Sequence, residues 1–322
     1  MKKTYDVVCI GFVVQDIIIT NIPFDALSRD TSVADSGIIT SGGDAANEAV
    51  TLSRLGSRAA LLVKIGRDSI GNSIYSTLES EPLDRSLIIR DDTAEMMLAI
   101  VAIKPDGERS FLVKPGNDAC HLTPQDISDA VLQQTRAVTV GSLFCLPGLD
   151  GMGMADILAR AGSYGALTLC DMTYDLNQIG PAAMLPVYPH IDYILPSLEE
   201  AIYATGETEP HKIADYFLAH GVKNVVIKLG GDGCFFQNQN ESFYTDPYCP
   251  DVILDTTGCG DTFTGAFTHA LLKGWPLRKC TAFACAAGAL NATGIGAHHT
   301  VESEAQVLTF MENTPRKYLS RY

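Results

Sequence analysis

The chain has 322 residues, 46% of them hydrophobic and 19% charged, with a formal net charge of -15. That length suits one large α/β domain or two smaller ones, and the apolar share is ample for a core with no signature of disorder. The acidic balance argues against nucleic acid or an anionic membrane as a general partner.

The opening residues, Met1-Lys2-Lys3-Thr4-Tyr5-Asp6, run into a strand too short for the apolar core of a signal peptide. No window approaches the ~20 apolar residues of a spanning helix. The nine cysteines sit mostly in apolar runs without C-x-x-C spacing, which predicts reduced thiols and a cytoplasmic protein. Cys280 and Cys285, five apart on a helix, are not expected to pair.

Val7 to Ile10, closed by Gly11, reads as a buried first strand, followed by Asp16 and a second strand from Ile17 to Thr20. Gly42-Gly43 then opens a helix carrying Asn47 and an apolar face through Ala49, Val50, Leu52 and Leu55. A glycine pair lets a substrate lie against the backbone, and the Asn47 amide offers a donor and an acceptor to a hydroxyl. Leu61 to Gly71 has the look of a strand and a structural Gly-x-Asp-x-x-Gly turn. Met96 to Ile103 and Ser110 to Val113 flank the hairpin signal Pro105-Asp106-Gly107-Glu108, with Arg109 just past the turn. From Ala137 onward strands alternate with helices expected over 150–162, near 180–185, over 198–205 and over 211–220. This is the pattern of a parallel sheet covered on both faces, with ligands at the strand C-terminal ends. Lys228 ends one strand, just before Gly230-Gly231-Asp232-Gly233, a glycine pattern that a hairpin turn alone would explain.

Val252-Ile253-Leu254 reads as strand-like and leads into Asp255-Thr256-Thr257-Gly258-Cys259-Gly260-Asp261. Phe263, Ala266, Phe267, Ala270 and Leu271 recur at helical spacing, with Gly274 and Pro276 as the stop. The free N–H groups and dipole of such a helix start form an anion site, which Gly258 and Gly260 leave open to close approach. Asp261 has two readings there: an N-cap, or a base for a hydroxyl attacking a phosphoryl group. Small residues from Thr281 to Ala292 form a further helix, and His298-His299 has no metal-ligand spacing.

Asp-Thr-x-Gly-x-Gly-Asp before an apolar helix resembles the second signature of the ribokinase family, the phosphofructokinase-B type sugar kinases. Gly42-Gly43 with Asn47 and Leu55-Gly56 resembles the first. The resemblance runs from about Asp6 to Ala297, with Cys259 where the family usually has Ala. It implies a ribokinase-like three-layer α/β sandwich with a mostly parallel central sheet, formed as one domain over 1–322. A small β-sheet lid from about 12–40 and 90–115 would cover the substrate and could join two copies edge to edge. The implied activity is ATP-dependent phosphorylation of a monosaccharide of ribose, fructose or keto-sugar-acid type.

The resemblance also carries residue roles. Asp261 would be the general base, with Gly258, Cys259 and Gly260 as the anion hole. Asp16, Gly42, Gly43 and Asn47 would fix the sugar, with Arg109 reaching from the lid unless it forms a surface ion pair. Lys228, Gly230, Gly233 and Cys285 would line ATP, although close helix packing would equally account for Cys285. Glu200 would hold Mg²⁺ through water, although Ser197-Leu198-Glu199-Glu200 is also a capping box with Ser in place of the family Asn. Asp255 and Thr257 would hold a monovalent cation such as K⁺. Thr173 departs from the family's Asp-x-Asn and carries no sugar contact. A nucleoside kinase, a vitamin or pyrimidine kinase lacking the lid, and a non-catalytic sugar sensor are the alternatives.

Overall fold

A computed structural model describes residues 3–105, 109–297 and 300–318, apart from the side chains of Leu27, Arg109 and Phe111. Its first half contains β1 (Tyr5–Ile10), β2 (Val14–Thr20), β3 (Ser36–Gly42), α1 (Asp44–Arg54), β4 (Ala59–Leu62) and β5 (Lys64–Gly66). There follow α2 (Ser69–Glu79), β6 (Ile89–Asp91), β7 (Leu98–Ile103), β8 (Arg109–Lys114), α3 (Asp129–Gln133) and β9 (Thr135–Leu143). The second half contains α4 (Met152–Ser163), β10 (Leu167–Met172), β11 (Tyr193–Ile194), α5 (Leu198–Thr205), α6 (Pro210–Ala219) and β12 (Asn224–Lys228). It closes with β13 (Cys234–Asn238), β14 (Ser242–Thr245), α7 (Cys259–Leu272), α8 (Leu277–Asn291) and α9 (Glu304–Asn313).

The central sheet runs β14-β13-β12-β11-β10-β9-β1-β4, parallel from β12 to β4 and antiparallel at the β13–β14 edge. Both faces are covered, and β1 demonstrates it: Val7 and Cys9 enter one apolar core, Val8 and Ile10 the other. Side chains alternate across a strand, so a strand buried on both faces must be apolar at successive positions. On the first face α1 and α7 cross closely. A Cβ at Gly265 would lie 3.1 Å from the Thr51 side chain and 3.2 Å from the Glu48 carbonyl oxygen, which is why a glycine stands in mid-helix. A four-stranded sheet, β3-β2-β7-β8, stands apart from the main one, with Ile39 and Val113 exposed on it. No described helix is long and apolar enough to cross a membrane.

Two expectations from the sequence differ from the structure. Val252-Ile253-Leu254 forms no strand and is exposed. The sheet already ends at β14, and the Leu254 N–H instead bonds the Ala292 carbonyl at 2.8 Å, at the end of α8. The helix near 180–185 is a single 3₁₀ turn, Pro181–Met184, entered through Gly180 at φ 77. The Gly230–Gly233 turn joins antiparallel β12 and β13, so it is indeed a hairpin connection. The Gly-x-Asp-x-x-Gly turn is structural as expected, since Asp68 caps α2 by accepting from the Gly71 N–H at 2.7 Å.

Glu48 is the unusual core residue. It is fully buried on α1, and neither carboxyl oxygen has a hydrogen-bond partner among the described residues. Burial, then the Asp171 carboxylate, pushes its acidity well above the ordinary glutamate range, offset in part by the nearby Thr139 hydroxyl. A raised value means that the folded state holds the proton more tightly than the unfolded chain. Its stabilising effect is therefore complete below the ordinary value of about 4.3 and is lost as pH rises, at up to about 1.4 kcal/mol per pH unit. Glu48→Gln keeps the shape without the ionisation, so its melting temperature should gain on the wild type steadily from pH 5 to pH 8. Melts in which the gap stays constant across that range would remove this account.

Candidate active site

The start of α7 is built by Gly258, the N-cap residue, at φ 70. Asp261 stands at the third helical position but does not cap. Its Oδ2 accepts a 2.6 Å hydrogen bond from Asn47 Nδ2 on α1, and no side-chain cap is made at this helix start. A local turn would have kept the carboxylate on its own backbone; here it is shared between two distant glycine-led helices. The Cys259 N–H reaches the Thr256 carbonyl at a long 3.3 Å.

Burial raises the Asp261 carboxyl to about 6; the Asn47 hydrogen bond pulls it down, Asp171 pushes it up and Lys228 pulls it down. Asp16, on β2, is raised to about 7 by burial and then by the Asp261 charge. Gly42 lies so close to Asp16 that an added Cβ would fall 2.0 Å from its Oδ2. Gly43, the N-cap of α1 at φ 98, is equally confined, its missing Cβ falling 2.7 Å from the Phe12 carbonyl oxygen. The fold thus gathers Asp16, Gly42, Gly43 and Asn47 near Asp261. The side chain of Arg109 and the pair His298-His299 lie outside the described residues.

A cleft of about 490 Å³ opens over the strand ends. It is lined by Glu200, Lys228, Gly230, Gly233, Cys259, Gly260, Asp261 and Cys285, but not by Asp16, Gly42, Gly43 or Asn47. Asp261 therefore stands between two regions. Glu200 makes the capping box with Ser197, accepting from its N–H at 2.7 Å, while also lining the cleft. Burial raises Glu200 to about 6, against the pull of Lys228 and with the push of Asp171. Cys285 packs against Cys234, with 3.8 Å between sulfurs. Asp255 is apart from the cleft: its Oδ1 accepts from the N–H and hydroxyl of Thr257 at 2.9 and 2.6 Å, and its Oδ2 from the Gly296 N–H at 3.0 Å. No cluster of three His, Cys, Asp or Glu suited to a metal occurs among the described residues.

Two acidic positions were not singled out from sequence. Asp44, beside Gly43, lines the cleft and accepts a short hydrogen bond from Ser142, a residue held at the unusual φ of 72. Burial, and next the Asp261 charge, pushes its acidity well up. Asp171 ends β10 and receives the Lys228 ammonium on both oxygens, at 2.7 and 2.6 Å. Their positions in the Gly-Gly-Asp and Asp-Met-Thr stretches were visible, but nothing local marked them as partners of residues about 60 to 200 positions away.

A sequence model described as "pfkB family carbohydrate kinase" matches residues 5–304. A ribokinase of Haemophilus influenzae is 29% identical over 324 residues, spanning 97% of this chain and all of the relative. A probable fructokinase-3 of Arabidopsis thaliana is 27% identical over 300 residues, or 86% of this chain and 84% of that one. The solved structure of an Arabidopsis thaliana ribokinase complexed with ribose and ATP superposes with a TM-score of 0.79 at 21% identity, covering 96% of this chain and 99% of that one, and so shares the fold. The chain belongs to the pfkB family of carbohydrate kinases, on a ribokinase fold with a mostly parallel central sheet and a separate small sheet.

Proposed function

We propose that this enzyme transfers the γ-phosphoryl group of ATP to a hydroxyl of a monosaccharide of ribose, fructose or keto-sugar-acid type. The observation that carries the reading is the 2.6 Å hydrogen bond from Asn47 to Asp261, which ties the two glycine-led helix starts into one site. Asp261 takes the proton of the acceptor hydroxyl as that oxygen bonds to phosphorus and the bond to ADP breaks. Peptide N–H groups of Gly258, Cys259 and Gly260 hold the charge that spreads over the phosphoryl oxygens. Asp16, Gly42, Gly43 and Asn47 hold the sugar beside Asp261.

Lys228, Gly230, Gly233 and Cys285 border ATP. The fit is supported by the cleft of about 490 Å³ beside a helix N-terminus, a size and chemistry suited to a nucleotide. Mg²⁺, when bound, would supply charge neutralisation on the phosphates, and Glu200 is one of the cleft carboxylates that would hold it through water. Asp255 and the Thr257 loop would hold a monovalent cation; the buried Asn291 Oδ1 beside that loop, without a partner among the described residues, suits a hard cation. We read the chain as one domain whose small sheet acts as a lid. The exposed Ile39 and Val113 on that sheet favour pairing of two copies there.

The test is ADP formation from ATP with a panel of neutral sugars, sugar acids and nucleosides, with and without K⁺. One sugar should stand out, whereas turnover of nucleosides alone would replace the reading with a nucleoside kinase. A pH profile gives an independent check. The base must be ionised, and its acidity is raised to about 6, so kcat should fall about tenfold per unit below that pH. A profile flat down to pH 4.5 would contradict the role of Asp261.

A further inference from the structure

Lys228 reaches from the end of β12 across the end of β11 to Asp171 at the end of β10, placing its ammonium on the floor of the cleft. All hydrogen bonds of Nζ among the described residues go to the two Asp171 oxygens. An ammonium has three N–H donors, so one is left for the cleft. A Cβ at Gly260 would lie 3.3 Å from Nζ, which sets that free donor against the peptide turn opening α7. Asp171 is itself fixed: Oδ2 accepts from the Thr264 hydroxyl of α7 at 2.7 Å, and Oδ1 from the Met172 N–H at 2.8 Å. The Lys228 side chain is 13% exposed and that of Asp171 2%.

Stability alone does not account for this pair. A buried ion pair usually does no better than an apolar pair of the same size, because both charges lose their water. What the arrangement secures is position: both side chains border the cleft, the more buried carboxylate is tied to α7 by Thr264, and the more exposed ammonium faces the peptide turn that opens α7. A cation held in advance has no rearrangement to make when charge develops beside it.

We propose that Asp171 is a positioning residue for phosphoryl transfer, aiming the Lys228 ammonium at the group in transit above the start of α7, with Thr264 locking the carboxylate to that helix. The proposal rests on reading the start of α7 as the place where the phosphoryl group passes. Lys228 then acts on the transition state rather than only on bound ATP. Its removal should lower kcat by about 10²–10³-fold, as for loss of one oxyanion donor, with the KM values changed only a few-fold.

Asp171→Asn leaves a buried ammonium uncompensated and could unfold the protein, so the test is built on a pair of variants. Lys228→Met alone and Asp171→Asn/Lys228→Met together are assayed for melting temperature, kcat and both KM values. The proposal expects the double variant to melt near the wild type while its kcat stays as low as that of Lys228→Met, showing no added loss. A purely structural pair would recover kcat along with stability in the double variant, and that result would overturn the proposal. So would a Lys228→Met enzyme with wild-type kcat. Asp261→Asn run alongside separates the two readings: if it is inactive while the double variant turns over normally, only the role of the Asp171–Lys228 pair fails. If Asp261→Asn is active, the underlying reading of the site fails.

Discussion

Asp261→Asn should lower kcat by about 10²–10⁴-fold, the usual range for loss of a general base, while the acceptor KM moves only a few-fold. Asparagine has the shape of the aspartate and keeps an oxygen that can accept from Asn47, so the 2.6 Å contact between α1 and α7 survives. It also removes a carboxylate that burial and Asp171 disfavour, so the variant should melt at or above the wild-type temperature near pH 7. That combination matters because a drop in rate with a drop in stability would say little about the base. Asp261→Asn should also lose the fall in kcat below about pH 6. A variant within tenfold of wild-type kcat would remove Asp261 from the chemistry and leave it as a link between two helices.

Much of this site could be read in the sequence because its glycines and acids lie in short local patterns. Gly43 and Gly258 are the N-caps of α1 and α7, so each glycine pattern marks the start of an apolar helix, with Cys259 and Gly260 already inside the first turn of α7. The sheet was readable for the same reason, since Val7 to Ile10 must be buried on both faces. What stayed hidden depends on strand order. Asp171 and Lys228 meet because β10 and β12 flank β11, and no local pattern states that neighbourhood. Glu48 lies on the face of α1 turned to the core, in helical register with Leu52 and Leu55, and its residue type rather than its spacing is what concealed it. Val252-Ile253-Leu254 misled because strand-like composition does not supply a neighbouring strand, and the sheet had already closed at β14.

Gly258→Ala should be among the most damaging single methyl additions at this site. Alanine at φ 70 costs about 1–2 kcal/mol in backbone strain alone. The new Cβ would also fall 2.1 Å from the Ala297 carbonyl oxygen and 2.6 Å from its carbonyl carbon, a contact with backbone that no side-chain rotation relieves. Either the 296–297 loop or the first turn of α7 has to move. Overpacking of this kind costs a further ~1–3 kcal/mol. A shift of about 1 Å at the anion site would by itself cost about 10²-fold in rate. Gly162→Ala, on α4 and away from the cleft, is the matching control, since its Cβ would meet nothing within 4 Å and its backbone is not left-handed. Thermal melts and saturating kcat measured on both should show a large loss for Gly258→Ala and almost none for Gly162→Ala. Equal and small effects would mean that the turn before Asp261 has room to spare, and that the close approach of Ala297 does not hold the anion site in shape.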